Sequence, residues 1–76
     1  MKDKIIEIIA EELGIDASEV QDGEDLYECL DMDSMTLLAI AMAVEQEFDV
    51  RFQKHELGEI HTVSDIENLI NGKKSA

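Results

Sequence analysis

Seventy-six residues allow one domain with a thin core, because a chain this short buries only about 60% of its unfolded surface. Apolar residues make up 45% and there is no Pro; with almost no β-branched alternation, this favours a packed all-α bundle. Six basic against nineteen acidic residues leave a formal charge of −13, a field that repels nucleic acid and anionic membrane and steers basic protein surfaces into contact.

The charge is unevenly spread. Between Ile5 and Val50 there is no Lys or Arg, but there are fourteen acids. Acidity can serve solubility alone, but a one-sided charge this large exceeds what solubility asks for. It also repels itself in the compact state, so salt or divalent cations are expected to stabilise the fold. No apolar run approaches the roughly 20 residues of a membrane span. The start, Met1-Lys2-Asp3-Lys4-Ile5, is helix-like and lacks a signal-peptide pattern. The expectation is one cytoplasmic domain over residues 1–76, frayed at 1–4 and 72–76.

In chain order, Ile5, Ile8, Ile9 and Leu13 recur at helical spacing, with Ile6 widening the stripe. This predicts a first helix over Lys2–Leu13, with Gly14 as its stop. A long connection follows from Ile15 to Asp33. Asp16-Ala17-Ser18-Glu19 has capping-box spacing and predicts one turn. Ile15, Val20, Leu26 and Leu30 are apolar anchors that can pin the loop across a bundle, and Asp22-Gly23 marks a turn.

A second helix is predicted over Ser34–Phe48. Leu37, Ala41, Val44 and Phe48 share its core face, flanked by Leu38 and Ile40. The opposite side is expected to be charged and mostly is not. Met35, Ala39, Met42 and Gln46 form a second stripe, suited either to docking or to packing against another helix of the same domain. A short third helix is predicted over Lys54–Ile60, with Gly58 weakening it. The last begins at Thr62 or Ser64; Thr62 to Asp65 and Ser64 to Glu67 both have capping-box spacing. Val63, Ile66, Leu69 and Ile70 are its core face, and Asn71-Gly72 its stop. The fold class is therefore a small four-helix bundle, three longer helices and one short, with a long loop between the first and second.

Chemistry-bearing residues are few. The lone Cys29 cannot form an internal disulfide and reads as a small buried hydrophobe beside Leu30. His55 and His61 read as surface positions. Asp31 and Asp33 could begin a calcium loop, but Met35 and Thr36 stand where it needs an oxygen ligand and a glycine. The chain lacks a nucleophile–base pair, a phosphate-cradling glycine loop and a metal set. It does not read as an enzyme.

Ser34 stands where loop gives way to helix. It can cap the first turn, or carry a phosphate ester, which the N–H groups and dipole of a helix N-terminus favour. The string Leu30-Asp31-Met32-Asp33-Ser34-Met35 resembles the attachment motif of acyl carrier proteins, whose usual form is Leu-Gly-x-Asp-Ser-Leu. The resemblance runs from about Ile5 to Ile70. It includes the length, the acidity, Val44-Glu45-Gln46-Glu47-Phe48 and Thr62-Val63-Ser64-Asp65-Ile66.

The resemblance implies that Ser34 bears phosphopantetheine, added from coenzyme A by a pantetheinyl transferase. The arm would carry acyl groups as thioesters to the enzymes of fatty-acid, polyketide or related biosynthesis. Asp33 would help seat the transferase and its metal ion. Asp31, Met35, Ala39, Met42 and Glu45 would meet partner enzymes through their basic patches. Ile40, Val44, Leu57 and Ile60 would line a shelter for the acyl chain. Neither nucleic acid nor membrane is an expected partner, and a monomer is expected.

Two departures from the fatty-acid pattern suggest a specialised carrier. Asp31 stands where the family usually has Gly, and Thr36 and Ala39 stand where acids are usual. The rival from another class is an unmodified acidic helical adaptor for basic partners, with Ser34 only a cap.

Overall fold

The computed structural model describes residues 1–75. Among them there are helices and turns and no strand. In order, α1 spans Lys2–Leu13, a single 3-10 turn Ala17–Glu19, α2 Leu26–Cys29, α3 Ser34–Phe48, α4 Lys54–Leu57 and α5 Val63–Ser75. The three longer helices are α1, α3 and α5, and α4 is the expected short one. No helix is long and apolar enough to cross a membrane among the described residues.

α1 packs against both α3 and α5, and α4 sits on α3. The core is built from Ile5 and Ile9 of α1, Leu37, Ile40, Ala41 and Val44 of α3, and Val63, Ile66 and Ile70 of α5. Each fully buried aliphatic side chain contributes about 1.5–3 kcal/mol of transfer free energy, which a thin core needs from every one of them.

α1 ends as its sequence indicates. Gly14 has φ 70°, a left-handed value that costs glycine nothing. The Ile15 N–H donates to the Ala10 carbonyl at 3.0 Å and the Gly14 N–H to that of Glu11 at 3.3 Å, a Schellman close.

The long loop is partly structured. Asp16 and Glu19 frame the 3-10 turn, the Glu19 carboxylate accepting from the Asp16 N–H at 3.1 Å. Val20 and Leu26 are buried, as is Met32, which the apolar-anchor pattern did not include. α2 is an addition to the expected elements. Asp25 caps it, its Oδ1 accepting from the Tyr27 N–H at 2.9 Å and that of Glu28 at 3.1 Å. The loop is tied to the start of α5 by backbone. The Leu26 N–H donates to the His61 carbonyl at 2.7 Å, and the Ser64 N–H and Oγ both reach the Asp22 carbonyl at 3.2 Å. Lys2 Nζ meets Asp22 Oδ2 at 2.6 Å.

Four expectations need correcting. Cys29 is exposed rather than buried, at the C-terminal end of the one-turn α2. Leu38 is exposed too, on the side of α3 turned from α1. α4 stops at Leu57 rather than Ile60. Beyond it the chain tightens into i→i+3 bonds, Glu59 N–H to Glu56 O at 3.0 Å and Ile60 N–H to Leu57 O at 3.3 Å, which swing Ile60 into the core.

The fourth is the stop at Asn71-Gly72. α5 runs through it to Ser75, because its last turn is anchored. Lys73 Nζ donates to Glu56 Oε1 at 2.7 Å and Oε2 at 2.9 Å, and sits 5.7 Å from the Phe52 ring centroid. Residues 2–4 and 72–75, expected to fray, are helical; Ala76 lies outside the described residues. At its start, α5 carries the Thr62/Asp65 capping box. Thr62 Oγ1 accepts from the Asp65 N–H at 3.1 Å, and Asp65 Oδ2 accepts from the Thr62 N–H at 3.0 Å.

Candidate functional site

The three residues before Ser34 present it. Asp31 has φ 57°, a left-handed conformation that turns the chain after Leu30. Met32 is buried, and its N–H donates to the Leu26 carbonyl at 3.2 Å, which plugs the turn into the core. Asp33 is extended, with φ −116° and ψ 176°, and is the N-cap of α3. Its Oδ1 accepts from the Thr36 N–H at 2.8 Å. That bond, reinforced by a side-chain hydrogen bond from Thr36, holds the Asp33 carboxyl below the usual aspartate range.

Ser34 is therefore the first helical residue and not the cap. It is exposed, and its hydroxyl makes no hydrogen bond to another described residue. It stands at the N-terminus of a helix of 15 residues with no acid in its first turn, where an anion is favoured.

Ser34 opens onto an apolar cleft of about 430 Å³. Met35, Leu37 and Leu38 of α3 form one wall and Lys54 and Leu57 of α4, with Gly58 just beyond it, the other, with Tyr27 of α2 at the side. The residues fit a phosphopantetheine arm on two grounds: a free hydroxyl at an anion-favouring helix end, and an apolar cleft beginning beside it. A second, more polar hollow of about 510 Å³, formed by Met42, Glu45, Gln46, Asp49, Val50 and Arg51, shares no residue with the first.

The stripe predicted on α3 is open. Met35 is 77% exposed and Met42 55%, with Leu38 between them at 46%; Ala39 is half-buried and Gln46 exposed. The alternative, in which this stripe packs against another helix of the domain, does not hold for Met35 and Met42. Asp31 is exposed. Glu45 is half-buried, its Oε2 accepting from the Phe52 N–H at 2.8 Å, so it braces the connection to α4.

The four residues expected to line an acyl shelter divide. Ile40, Val44 and Ile60 are fully buried in the core, whereas Leu57 is half-buried on the cleft wall. Sequence reasoning missed Tyr27, Leu38 and Lys54 as cleft residues. A signal for Tyr27 was present: Asp25 and Glu28 have helix-capping spacing around it.

The family model of the phosphopantetheine attachment site matches residues 3–70. The chain is 35% identical over 68 residues to an acyl carrier protein of Clostridium acetobutylicum, which covers 90% of this chain and 88% of that one. It is 36% identical over 72 residues to an acyl carrier protein of Solidesulfovibrio magneticus, covering 95% and 92%. With an acyl carrier protein of Chlamydia caviae it shares 31% identity over 74 residues, covering 97% and 96%.

Proposed function

The chain belongs to the acyl carrier protein family, which carries rather than catalyses, and from that premise we propose that Ser34 is its phosphopantetheine attachment residue. The observation that carries this reading is the division of labour at the head of α3: Asp33 caps the helix, which leaves the Ser34 hydroxyl exposed and unengaged. The adaptor reading rested on Ser34 being the cap and loses that footing.

The roles of the chain's own residues follow. Within the transferase, Ser34 Oγ attacks the pantetheine-side phosphorus of the coenzyme A pyrophosphate; the P–O bond to the other phosphate breaks, the adenosine bisphosphate leaves, and the hydroxyl proton passes to a base of the transferase. The α3 N-terminus stabilises the phosphodiester so formed. Asp33, held ionised by Thr36, is a carboxylate fit to help seat the transferase and its metal ion. When bound, phosphopantetheine supplies a thiol that holds an acyl group as a thioester. The cleft walls, Met35, Leu38 and Leu57 among them, offer that acyl group an apolar berth. Tethering at Ser34 replaces diffusion between partner sites by effective concentration.

Acyl-handling enzymes dock, in this reading, on the α3 face bearing Met35, Ala39 and Met42, with Asp31 and Glu45 near its ends. That face has no acid from Ser34 to Val44, so contact there is apolar, while the acidic loop steers basic patches from a distance. With Thr36 and Ala39 in place of the usual acids, this favours a specialised carrier, for polyketide, lipid-modification or peptide assembly, over the housekeeping fatty-acid one. A charge of −13 disfavours self-association, in keeping with a cytoplasmic monomer.

Intact mass after incubation with coenzyme A and a broad-specificity pantetheinyl transferase tests the proposal. The wild type should gain one phosphopantetheine and Ser34→Ala none. A wild type that stays at its polypeptide mass with several transferases overturns it.

A further inference from the structure

Apart from Ser34 itself, the cleft has two polar residues in its lining. Lys54 is exposed at the start of α4 and Tyr27 half-buried on α2, and both line it. Between Ile5 and Gly72 the only cations are Arg51 and Lys54. The described ion pairs are Lys2 with Asp22 and Lys73 with Glu56. Lys54 has no such partner among the described residues, although the chain carries nineteen acids. The Tyr27 hydroxyl likewise makes no hydrogen bond there; its ring lies 5.8 Å from that of His61, tilted by 56°. Two residues with unengaged polar tips, one an ammonium and one a phenol, thus line an otherwise apolar berth.

We propose that Lys54, assisted by the Tyr27 hydroxyl, makes this cleft selective for acyl cargo that bears a carboxylate. The proposal rests on Ser34 being the attachment residue. An ammonium on an apolar wall gains most from a charge-assisted hydrogen bond to an anion, and Tyr27 offers a second donor. The other anion within reach of the same chemistry is the phosphodiester on Ser34. The N-terminus of α3 already serves that group, and Lys54 belongs to the opposite wall, on α4.

The test loads wild type with a short ω-carboxyacyl chain, with its methyl ester, or with the arm alone, from the corresponding coenzyme A compounds. Thioester cleavage by hydroxylamine and the NMR signal of the Lys54 side chain are then read. The carboxylate cargo should be cleaved about two- to fivefold more slowly than the ester, the size expected of an accessible ion pair. Lys54→Met should abolish the difference and Lys54→Arg retain it, with Tyr27→Phe reducing it. The Lys54 signal should move with the carboxylate cargo and not with the arm alone. Equal cleavage of the two cargoes in wild type overturns the proposal, as does a Lys54 signal already shifted by the arm alone. A wild type that accepts no arm at all overturns the attachment reading as well, whereas efficient loading with equal cleavage removes only the selectivity.

Discussion

Asp33 Oδ1 accepts the Thr36 N–H at 2.8 Å, so the residue before Ser34 closes the first turn of α3 and the serine hydroxyl is left unengaged. The cap and the proposed attachment residue are adjacent but separable. Asp33→Asn keeps a good capping side chain and should change stability by less than about 0.5 kcal/mol, whereas Asp33→Ala should cost about 1 kcal/mol. Both should slow arm attachment if the charge matters to the transferase. Urea denaturation paired with intact-mass time courses checks this; an asparagine variant modified at the wild-type rate would remove Asp33 from the transferase site.

Glu56 ties three segments together. Its carboxylate accepts from the Gln53 N–H at 2.7 Å and pairs with Lys73 at 2.7 Å, and these contacts, the backbone one first, pull its pKa below the usual glutamate range. A depressed folded-state pKa contributes stability that is present above the unfolded-state pKa and lost as pH falls through the folded one. The stability gap between wild type and Glu56→Gln should therefore be open at pH 7 and close below about pH 4. Urea midpoints of both proteins across that range decide it; a gap that stays constant contradicts the assignment.

Asp31 holds φ 57°, where a side chain costs about 1–2 kcal/mol, less for Asp than for most residues. Replacement by glycine removes that strain but frees the unfolded chain. Asp31→Gly should be stabilising, by about 0.5 kcal/mol. A thermal midpoint below wild type would show that the Asp31 side chain contributes a contact outweighing its backbone cost.

Leu26 is fully buried and is the anchor of α2. Leu26→Ala should destabilise by about 2–4 kcal/mol. Because the same residue donates its N–H to His61 at 2.7 Å, amide exchange should accelerate at Tyr27 and along the loop more than in α1. Uniform acceleration across the chain would mean that the loop has no local role.

Charge sets the last expectation. With a net −13 the folded chain repels itself, and at 0.1 M salt the screening length is about 10 Å. The thermal midpoint should rise by several degrees between low salt and 0.2 M sodium chloride, a range in which screening tightens steadily. Insensitivity to salt would mean that the acids are already neutralised locally.

The amino-acid order alone determined the three long helices, because Ile5, Ile9, Leu37, Val44, Ile66 and Ile70 recur at the spacing of one helical face, and no tertiary contact is needed to see it. It also marked Gly14 as a stop and Thr62 with Asp65 as a start, since these are local hydrogen-bonding patterns, and it singled out Asp33-Ser34 by resemblance. Which of Asp33 and Ser34 does the capping was decided only in three dimensions, where the plug of Met32 and the left-handed turn at Asp31 set the chain's approach to α3. The same holds for the end of α5, where local signals at Asn71-Gly72 say stop and the distant pair Lys73–Glu56 carries the helix on. The cleft, too, is a tertiary product. Tyr27, Leu38 and Lys54 lie far apart in the chain and have no common period, and they meet because backbone bonds from Leu26 and Ser64 fold the loop against α5 while Glu45 braces the lead-in to α4.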